Sequence, residues 1–122
     1  ILMYNKCFLI GRLVRDPEMR VTLSGVTVTR FTLAIDRIRG KDGQEGVTDF
    51  IRVVAWRRLA EICGEYLKKG KLVAIEGRLQ VDSYEKDGET KTSADVIADS
   101  MQMLDRGIQQ MDEHPEFASQ EF

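Results

Sequence analysis

The stretch TDFIRVVAWRRLAEICGEYLKKG, residues 48–70, decides the fold, because its hydrophobic period changes partway along. Apolar and polar residues alternate over 48–57, which predicts a β-strand. Apolar residues then recur at helical spacing over 58–69, and Gly70 provides a stop, so a helix is predicted there. The helical stripe consists of Leu59, Ile62, Cys63, Tyr66 and Leu67. A strand therefore runs directly into a helix.

Working outward, four more strands are predicted from runs of Val, Ile, Thr and Phe with alternating polarity. They cover residues 4–14, 26–37, 71–84 and 90–104. Residues 18–23 form a short extension, a glycine-rich loop follows at 38–47, and an Asp-Gly hairpin tip lies at 85–89. Within the fourth strand we expect four apolar side chains to face inward: Val73, Ile75, Leu79 and Val81.

The order is β-β-β-α-β-β, with one helix between the third and fourth strands. A five-stranded sheet of this size is expected to close on itself, with the helix covering one end. This all-β arrangement is the OB-fold barrel, which serves as a platform for oligonucleotides and oligosaccharides. We assign the OB-fold domain to residues 1–106 and a short, acidic, disordered tail to residues 107–122.

Composition restricts the function classes. The chain has 122 residues, 43% of them hydrophobic, and lacks the roughly 18-residue apolar run of a membrane-spanning helix. Two distant cysteines favour free thiols in a reducing compartment. The net charge is −2, but residues 1–81 hold 15 basic against 9 acidic residues, and acid is concentrated towards the end. The first two thirds of the chain therefore carry a net positive charge, which is compatible with binding a polyanion.

An aromatic pair marks the predicted third strand. Phe50, Arg52 and Trp56 share the face opposite the aliphatic one. Exposed rings of this kind can stack unpaired bases. They can equally cover the barrel against the helix, a loop or another subunit, and the pattern leaves both interpretations open. Tyr84, beside the hairpin tip, is a further stacking candidate or simply a residue suited to a strand end.

Scattered basic residues can form a phosphate-tracking groove once a barrel brings them together. They are Arg12, Arg30, Arg52, Arg57, Arg58, Lys68, Lys69 and Lys71. Individually, each can also be an ordinary solvated surface residue. Carboxylates are present, but no pair has a diagnostic spacing and the only histidine is His114. We therefore expect no enzyme, no cofactor and no metal.

Several sequence blocks, in order, resemble the bacterial single-stranded DNA-binding protein family. They are NK at 5–6, LIGRL at 9–13, DPEMR at 16–20, FTLA at 31–34, RVV at 52–54, LAE at 59–61, YLKKG at 66–70, IEGRL at 75–79 and MQML at 101–104. The resemblance covers about residues 3–106. It implies an OB-fold homotetramer that wraps single-stranded DNA without sequence preference.

The resemblance also implies site residues. Three of the family's four aromatic positions fall on Phe50, Trp56 and Tyr84, and the fourth falls near Arg39, whose guanidinium can stack or pair with phosphate. The family's basic contacts fall on Lys6, Arg52, Arg58, Lys68 and Lys69. The stretch 80–83, QVDS, lacks the basic residues that the family often has before the last aromatic.

The tail departs from the family pattern. Family members have a long linker and an acidic tip that docks replication and repair proteins. Here the tail is short, acidic and ends in Glu121 and Phe122. These residues are either a reduced partner-binding tip or an idle end, and an acidic tail could also compete with DNA for the basic groove.

The sequence thus predicts a protein that coats single-stranded DNA during replication, recombination and repair. The basic set assigned to phosphate includes Arg12 and Arg30. The expected location is the bacterial cytoplasm, at the nucleoid, with an organellar origin left open. The alternative from another class is an OB-fold interaction module, similar to a primosome component, whose exposed aromatics contact protein.

Overall fold

The computed structural model describes residues 2–38 and 46–104, which contain six strands and one helix. The elements in chain order are β1 (Cys7–Leu13), β2 (Glu18–Val21), β3 (Thr27–Asp36), β4 (Thr48–Trp56), α1 (Arg57–Tyr66), β5 (Leu72–Lys86) and β6 (Glu89–Met103). The five predicted strands are all present. The short extension forms a strand of its own, β2, paired with β3.

The strands form one closed sheet in the order β1-β5-β6-β4-β3-β2. Closure occurs where β1 also pairs with β3, at Arg12 opposite Ala34 and Leu13 opposite Leu33. β4 and β6 run parallel and the other neighbours are antiparallel. The predicted all-β OB-fold barrel, with its helix between β4 and β5, is confirmed.

The barrel interior holds the core. Its fully buried side chains include Leu33, Val53 and Ile75 from three strands, and α1 adds Cys63. Burial raises the pKa of the Cys63 thiol to about 12. The hydroxyl of Thr29 donates a hydrogen bond of 2.7 Å to the Ala60 carbonyl, so this buried hydroxyl group is satisfied. The helix therefore covers the barrel end, as the apolar stripe predicted.

The helix ends earlier than its hydrophobic period predicted. It stops at Tyr66, and Leu67 is already extended while its N–H still bonds the Cys63 carbonyl at 3.0 Å. Leu67 nevertheless packs into the core, because its side chain continues the apolar stripe after the helical backbone has ended. Lys68 and Lys69 consequently lie in the connection to β5.

The end of the β5–β6 hairpin leaves the barrel. β1 pairs with β5 no further than Gly77, and β6 pairs with β4 only at Val96 and Ile97. We call residues 78–95 the hairpin arm; it turns at Asp87-Gly88, where both φ angles are positive, as in a type I′ turn. The arm carries the predicted hairpin tip.

The inward orientation predicted for Leu79 and Val81 is wrong. Their side chains are 42% and 58% exposed, whereas Val73 and Ile75 on the same strand are fully buried. Alternation continues into the arm, but no second layer of the described chain covers that face. The predicted domain boundary at residue 106 and the tail 107–122 lie outside the described residues.

Candidate nucleic-acid interface

An open row of side chains runs along β4 on the outside of the barrel. Phe50 and Trp56 are 66% and 41% exposed, and Arg52 between them is exposed as well. Val53 and Ala55, which alternate with them, are fully buried in the core. The predicted division of β4 into an aliphatic inner face and an aromatic, basic outer face is therefore present.

β3 extends this surface because residues opposite each other in an antiparallel pair share a face. Thr32 lies opposite Arg52, and Arg30 lies opposite Val54. A small buried cluster of Val28, Val54 and Ile97 supports the middle of the surface. We call the exposed side of β3 and β4 the outer face.

A cleft of about 430 Å³ lies at the outer face, and it unites three of the predicted site residues: Arg30, Arg52 and Tyr84. Tyr84 comes from the hairpin arm, and the two arginines come from neighbouring strands. A guanidinium pair and a half-exposed ring thus meet around a space open to solvent. Sequence periodicity placed them on separate strands, and the barrel brings them together.

The cleft also contains polar residues that sequence reasoning missed as site residues. They are Arg15, Asp16, Glu18, Ser93 and Asp95. Glu18 comes from β2, which was predicted as a short extension, and Arg15 and Asp16 come from the turn before it. Ser93 and Asp95 come from β6, whose place beside β4 depends on a parallel pairing that local patterns do not encode.

Acidic and basic groups are balanced in the cleft. It is lined by three arginines and three carboxylates. Arg52 Nε donates to Asp95 Oδ1 at 2.7 Å. Glu18 accepts a hydrogen bond from Arg20, and this bond, aided by the charge of Arg20, lowers the Glu18 pKa. The cleft lining is therefore balanced in formal charge, and Arg52 and Asp95 form an ion pair within it.

The other predicted cations lie outside the cleft lining. Lys6 forms an ion pair with Glu76 at 3.1 Å, and this hydrogen bond raises the Lys6 pKa. Arg12 Nη1 donates to the Gly70 carbonyl at 2.9 Å. Arg58 lies 3.7 Å from a carboxylate oxygen of the helix, on Glu61.

Lys68 and Lys69 are exposed where the chain leaves α1. The backbone N–H of Lys69 donates to Asp16 Oδ1 at 2.9 Å, which ties this connection to the turn before β2. Phe50 and Trp56 are on the outer face but beyond the cleft lining. The predicted site residues Arg39, Glu121 and Phe122 lie outside the described residues.

The connection from β4 to α1 bends sharply beside Trp56. Arg57, a non-glycine residue, has a φ of 61°, in the left-handed region. This bend turns the chain directly from strand into helix. Arg57 and Arg58 then line a second, smaller cleft of about 240 Å³ with Gly25, Val26, Thr27 and Glu61.

The arrangement is suited to binding. Exposed rings offer π-faces for bases, and guanidinium groups offer hydrogen-bond donors for phosphate. Among residues 2–38 and 46–104, no group of three His, Cys, Asp or Glu side chains is placed to hold a metal ion. Fold and site together define an OB-fold protein with a surface of the kind that binds nucleic acid.

Comparison with known proteins gives the family. The single-strand binding protein family matches residues 4–104. The chain is 47% identical over 106 residues to a single-stranded DNA-binding protein of Thermotoga maritima, covering 84% of this chain and 75% of that protein. A single-stranded DNA-binding protein of Staphylococcus aureus strain N315 is 45% identical over 104 residues, covering 84% and 67%.

Solved structures agree on the architecture. The Plasmodium falciparum SSB in complex with ssDNA superposes with a TM-score of 0.78 at 24% identity, covering 86% of this chain and 98% of that one. A deletion mutant of the single-stranded DNA binding protein from Thermus aquaticus gives 0.73 at 38% identity, covering 84% and 51%.

The chain belongs to the single-strand binding protein family. The resemblance expected from the sequence blocks is confirmed. Membership of this non-catalytic family also confirms the prediction that the chain is not an enzyme. In the described part of the chain, no helix has the length and apolar character needed to cross a membrane.

Proposed function

We propose that this protein binds and protects single-stranded DNA without sequence preference, as DNA is exposed in replication, recombination and repair. The observation that carries the proposal is the outer face, where Phe50, Arg52 and Trp56 stand exposed beside the cleft that contains Tyr84. Family membership and the names of the relatives point to the same ligand.

Base stacking supplies the sequence tolerance in this proposal. Phe50 and Trp56 are six residues apart on one strand, which is about 20 Å. A single strand following β4 would meet two separate rings, with Arg52 between them and Tyr84 beside them. Stacking contributes about 1–3 kcal/mol for each base and does not depend on base identity.

Phosphate contacts supply the salt dependence. Arg30 and Arg52 lie in the cleft, and the proposal adds the surrounding cations Lys6, Arg12, Arg58, Lys68 and Lys69. Each phosphate neutralised on a single strand contributes about −0.7 to the slope of log affinity against log salt. Because several cations are already paired with carboxylates, we expect a shallower slope than their number alone would give.

The proposed assembly is a homotetramer. β1 pairs with β5 from Cys7 to Arg12, and its pairing with β3 is confined to Arg12 and Leu13. The apolar side chains of Phe8 and Ile10 are about half-exposed on this strand. Exposed apolar side chains on a strand favour contact with another copy. Four linked copies would raise the effective concentration of binding sites.

The remaining expectations complete the proposal. Arg39 extends the DNA-binding surface from the loop after β3, and the tail that ends in Glu121 and Phe122 docks replication and repair proteins. We further propose that the protein acts at the bacterial nucleoid, where single-stranded DNA is exposed. An interaction module that uses its aromatics for protein contacts is the alternative that the following test addresses.

The test uses Trp56, the only tryptophan in the chain. Titration with oligo-dT at two salt concentrations should quench its fluorescence, more strongly at the lower salt, while an equal-length duplex should not. Phe50→Ala should weaken binding. The matched control is Tyr66→Ala, which removes a half-exposed ring on α1 that is not part of the cleft lining. Equal quenching by duplex, or none by oligo-dT, would favour the interaction module.

A further inference from the structure

The outer face contains one ion pair whose role in binding is not given by the proposed function. Arg52 on β4 meets Asp95 on β6, with Nε donating to Oδ1 at 2.7 Å. The parallel pairing of the two strands aligns Val53 with Val96, which are the next residues along each strand. The fold therefore places this carboxylate beside the guanidinium at the centre of the outer face.

The contact uses only part of the guanidinium. Arg52 bonds through Nε, and within residues 2–38 and 46–104 its two Nη groups make no hydrogen bond. A guanidinium has five N–H donors in a fixed planar fork, so an Nε contact leaves the edge formed by Nη1 and Nη2 available. That edge matches two phosphate oxygens in a bidentate pair.

This ion pair contributes little to the stability of the fold. The Arg52 side chain is more than half exposed, and the Asp95 side chain, which also lines the cleft, is 25% exposed. Ion pairs between partly exposed groups contribute little to stability, because water screens them and ordering long side chains costs entropy. The geometry is therefore better explained by what the pair does to the guanidinium.

We propose that Asp95 is a positioning residue that holds the Arg52 guanidinium with its free edge ready for a DNA phosphate. The inference rests on the proposed function. An unrestrained arginine side chain loses rotamer freedom when it binds, and this loss weakens affinity. Asp95 already restrains the Arg52 side chain in the free protein, so less rotamer freedom is lost when DNA binds.

Competition is the opposite role, and it predicts the opposite sign. If the Asp95 carboxylate occupied the donors that phosphate needs, its removal would tighten binding. Because the contact is through Nε and the Nη edge makes no hydrogen bond to described residues, the geometry favours positioning. The two roles are separated by variants that remove the charge with or without the hydrogen-bond acceptor.

The experiment measures oligo-dT affinity of the full chain by Trp56 quenching for wild type, Asp95→Ala and Asp95→Asn. Asp95→Ala removes the acceptor and should weaken binding by about three- to tenfold. Asp95→Asn keeps an Oδ1 acceptor and removes a negative charge, so its affinity should equal or exceed that of wild type. In an Arg52→Ala background, Asp95→Ala should have no further effect, because its action passes through Arg52.

Asp99 supplies the matched control on the same strand. It accepts a hydrogen bond from Arg78 Nη1 at 3.0 Å and does not line the cleft. Asp99→Ala should therefore leave affinity within twofold of wild type. Circular dichroism checks folding, and if Asp95→Ala unfolds, Asp95→Val, whose β-branched side chain suits a strand, replaces it.

Three outcomes overturn the inference: Asp95→Ala binding as tightly as wild type or more tightly, Asp95→Asn weakening binding as much as Asp95→Ala, or unchanged binding in Arg52→Ala. In each of these cases saturable quenching of the wild type would leave the proposed function intact. Absence of oligo-dT binding by the wild type would instead remove the proposed function itself. The two failures are therefore distinguishable in one series of titrations.

Discussion

Along β5, residues 72–77 lie between β1 and β6 in the barrel, whereas residues 78–86 pair with β6 alone and are exposed. The strand is continuous and its side chains alternate throughout. Ile75 in the first half is fully buried, and Val81 in the second half is 58% exposed. Burial is therefore decided by what lies across the sheet and not by the alternation itself.

The two halves also differ in what they carry. The barrel half contributes core side chains, and the hairpin arm contributes Tyr84 to the cleft at the outer face. In the proposed function, the arm is a presenting element that the barrel holds in place. Within β5, substitutions of buried side chains in the barrel half should therefore affect folding, and substitution of Tyr84 in the arm should affect DNA binding.

Substitution at the junction between the two halves of β5 should have the largest effect on the free energy of unfolding. β6 has a bulge there, because Glu76 pairs with Ser100 and Gly77 with Ala98, which skips Asp99. A Cβ on Gly77 would lie 2.1 Å from the Ile97 carbonyl oxygen. A backbone carbonyl cannot move away by changing rotamer, as a side chain could. Gly77→Ala should therefore lower the free energy of unfolding by about 3 kcal/mol or more.

Gly88, in the turn at the far end of the arm, provides the matched glycine. No atom lies within 4 Å of a Cβ there, but its φ is +80°. Gly88→Ala should lower the free energy of unfolding by about 1 kcal/mol through backbone strain alone. Urea denaturation followed by circular dichroism measures both variants, and equal losses would contradict a steric barrier at the junction.

Truncation of one apolar side chain in each half tests the comparison directly. Ile75→Ala opens a cavity in the barrel and should lower the free energy of unfolding by about 2–5 kcal/mol. Val81→Ala removes atoms that are already largely in water, so its effect should stay below about 0.5 kcal/mol. The same denaturation measurement applies. A large loss in Val81→Ala would show that the arm packs against another copy of the chain in solution.

For DNA binding, we expect an effect from substitution in the arm, without an effect on stability. Tyr84→Ala should weaken oligo-dT binding by about tenfold, within the range for loss of one stacked base, and should leave the denaturation midpoint unchanged. Tyr84→Phe keeps the ring and should bind as wild type does. Fluorescence titration of Trp56 measures all three proteins. If Tyr84→Phe loses as much affinity as Tyr84→Ala, the hydroxyl group and not the ring makes the contact.

Local patterns were sufficient for most of the secondary structure and for one face of the site. The change of period in 48–70 gave both β4 and α1, and alternation separated Phe50 and Trp56 from the buried Val53. The Asp-Gly pair gave the hairpin turn. These features depend on neighbours along the chain, which is why the sequence alone predicts them.

Features that depend on distant pairing were beyond the sequence. Asp95 meets Arg52 across 43 positions, and only the parallel register of β4 and β6 brings them together. The exposure of Leu79 likewise reflects the absence of a second layer over the arm in the described chain, which its own alternation does not reveal. Charge counts along the chain also did not reveal that three carboxylates would lie beside the three arginines of the cleft.

Exposed ion pairs should give the smallest difference between regions. At the barrel rim, Arg37 donates two hydrogen bonds of 3.0 Å to Asp49, and these bonds lower the Asp49 pKa below its ordinary 3.8. In the arm, Lys91 lies 3.6 Å from Glu89 in a single contact. The contribution of the Arg37–Asp49 pair to thermal stability should therefore change measurably with pH. The contribution of the Lys91–Glu89 contact should be too small to measure.

For Asp49, the depressed pKa means that the pair stabilises the fold above about pH 4 and that this contribution is lost as the pH falls further. Asp49→Asn should therefore melt slightly below wild type at pH 6, and the two should converge near pH 2. Glu89→Gln is the arm control and should match wild type at both pH values. Thermal unfolding by circular dichroism measures the difference, and a gap that persists at pH 2 would mean that Asp49 acts through its shape and not through its charge.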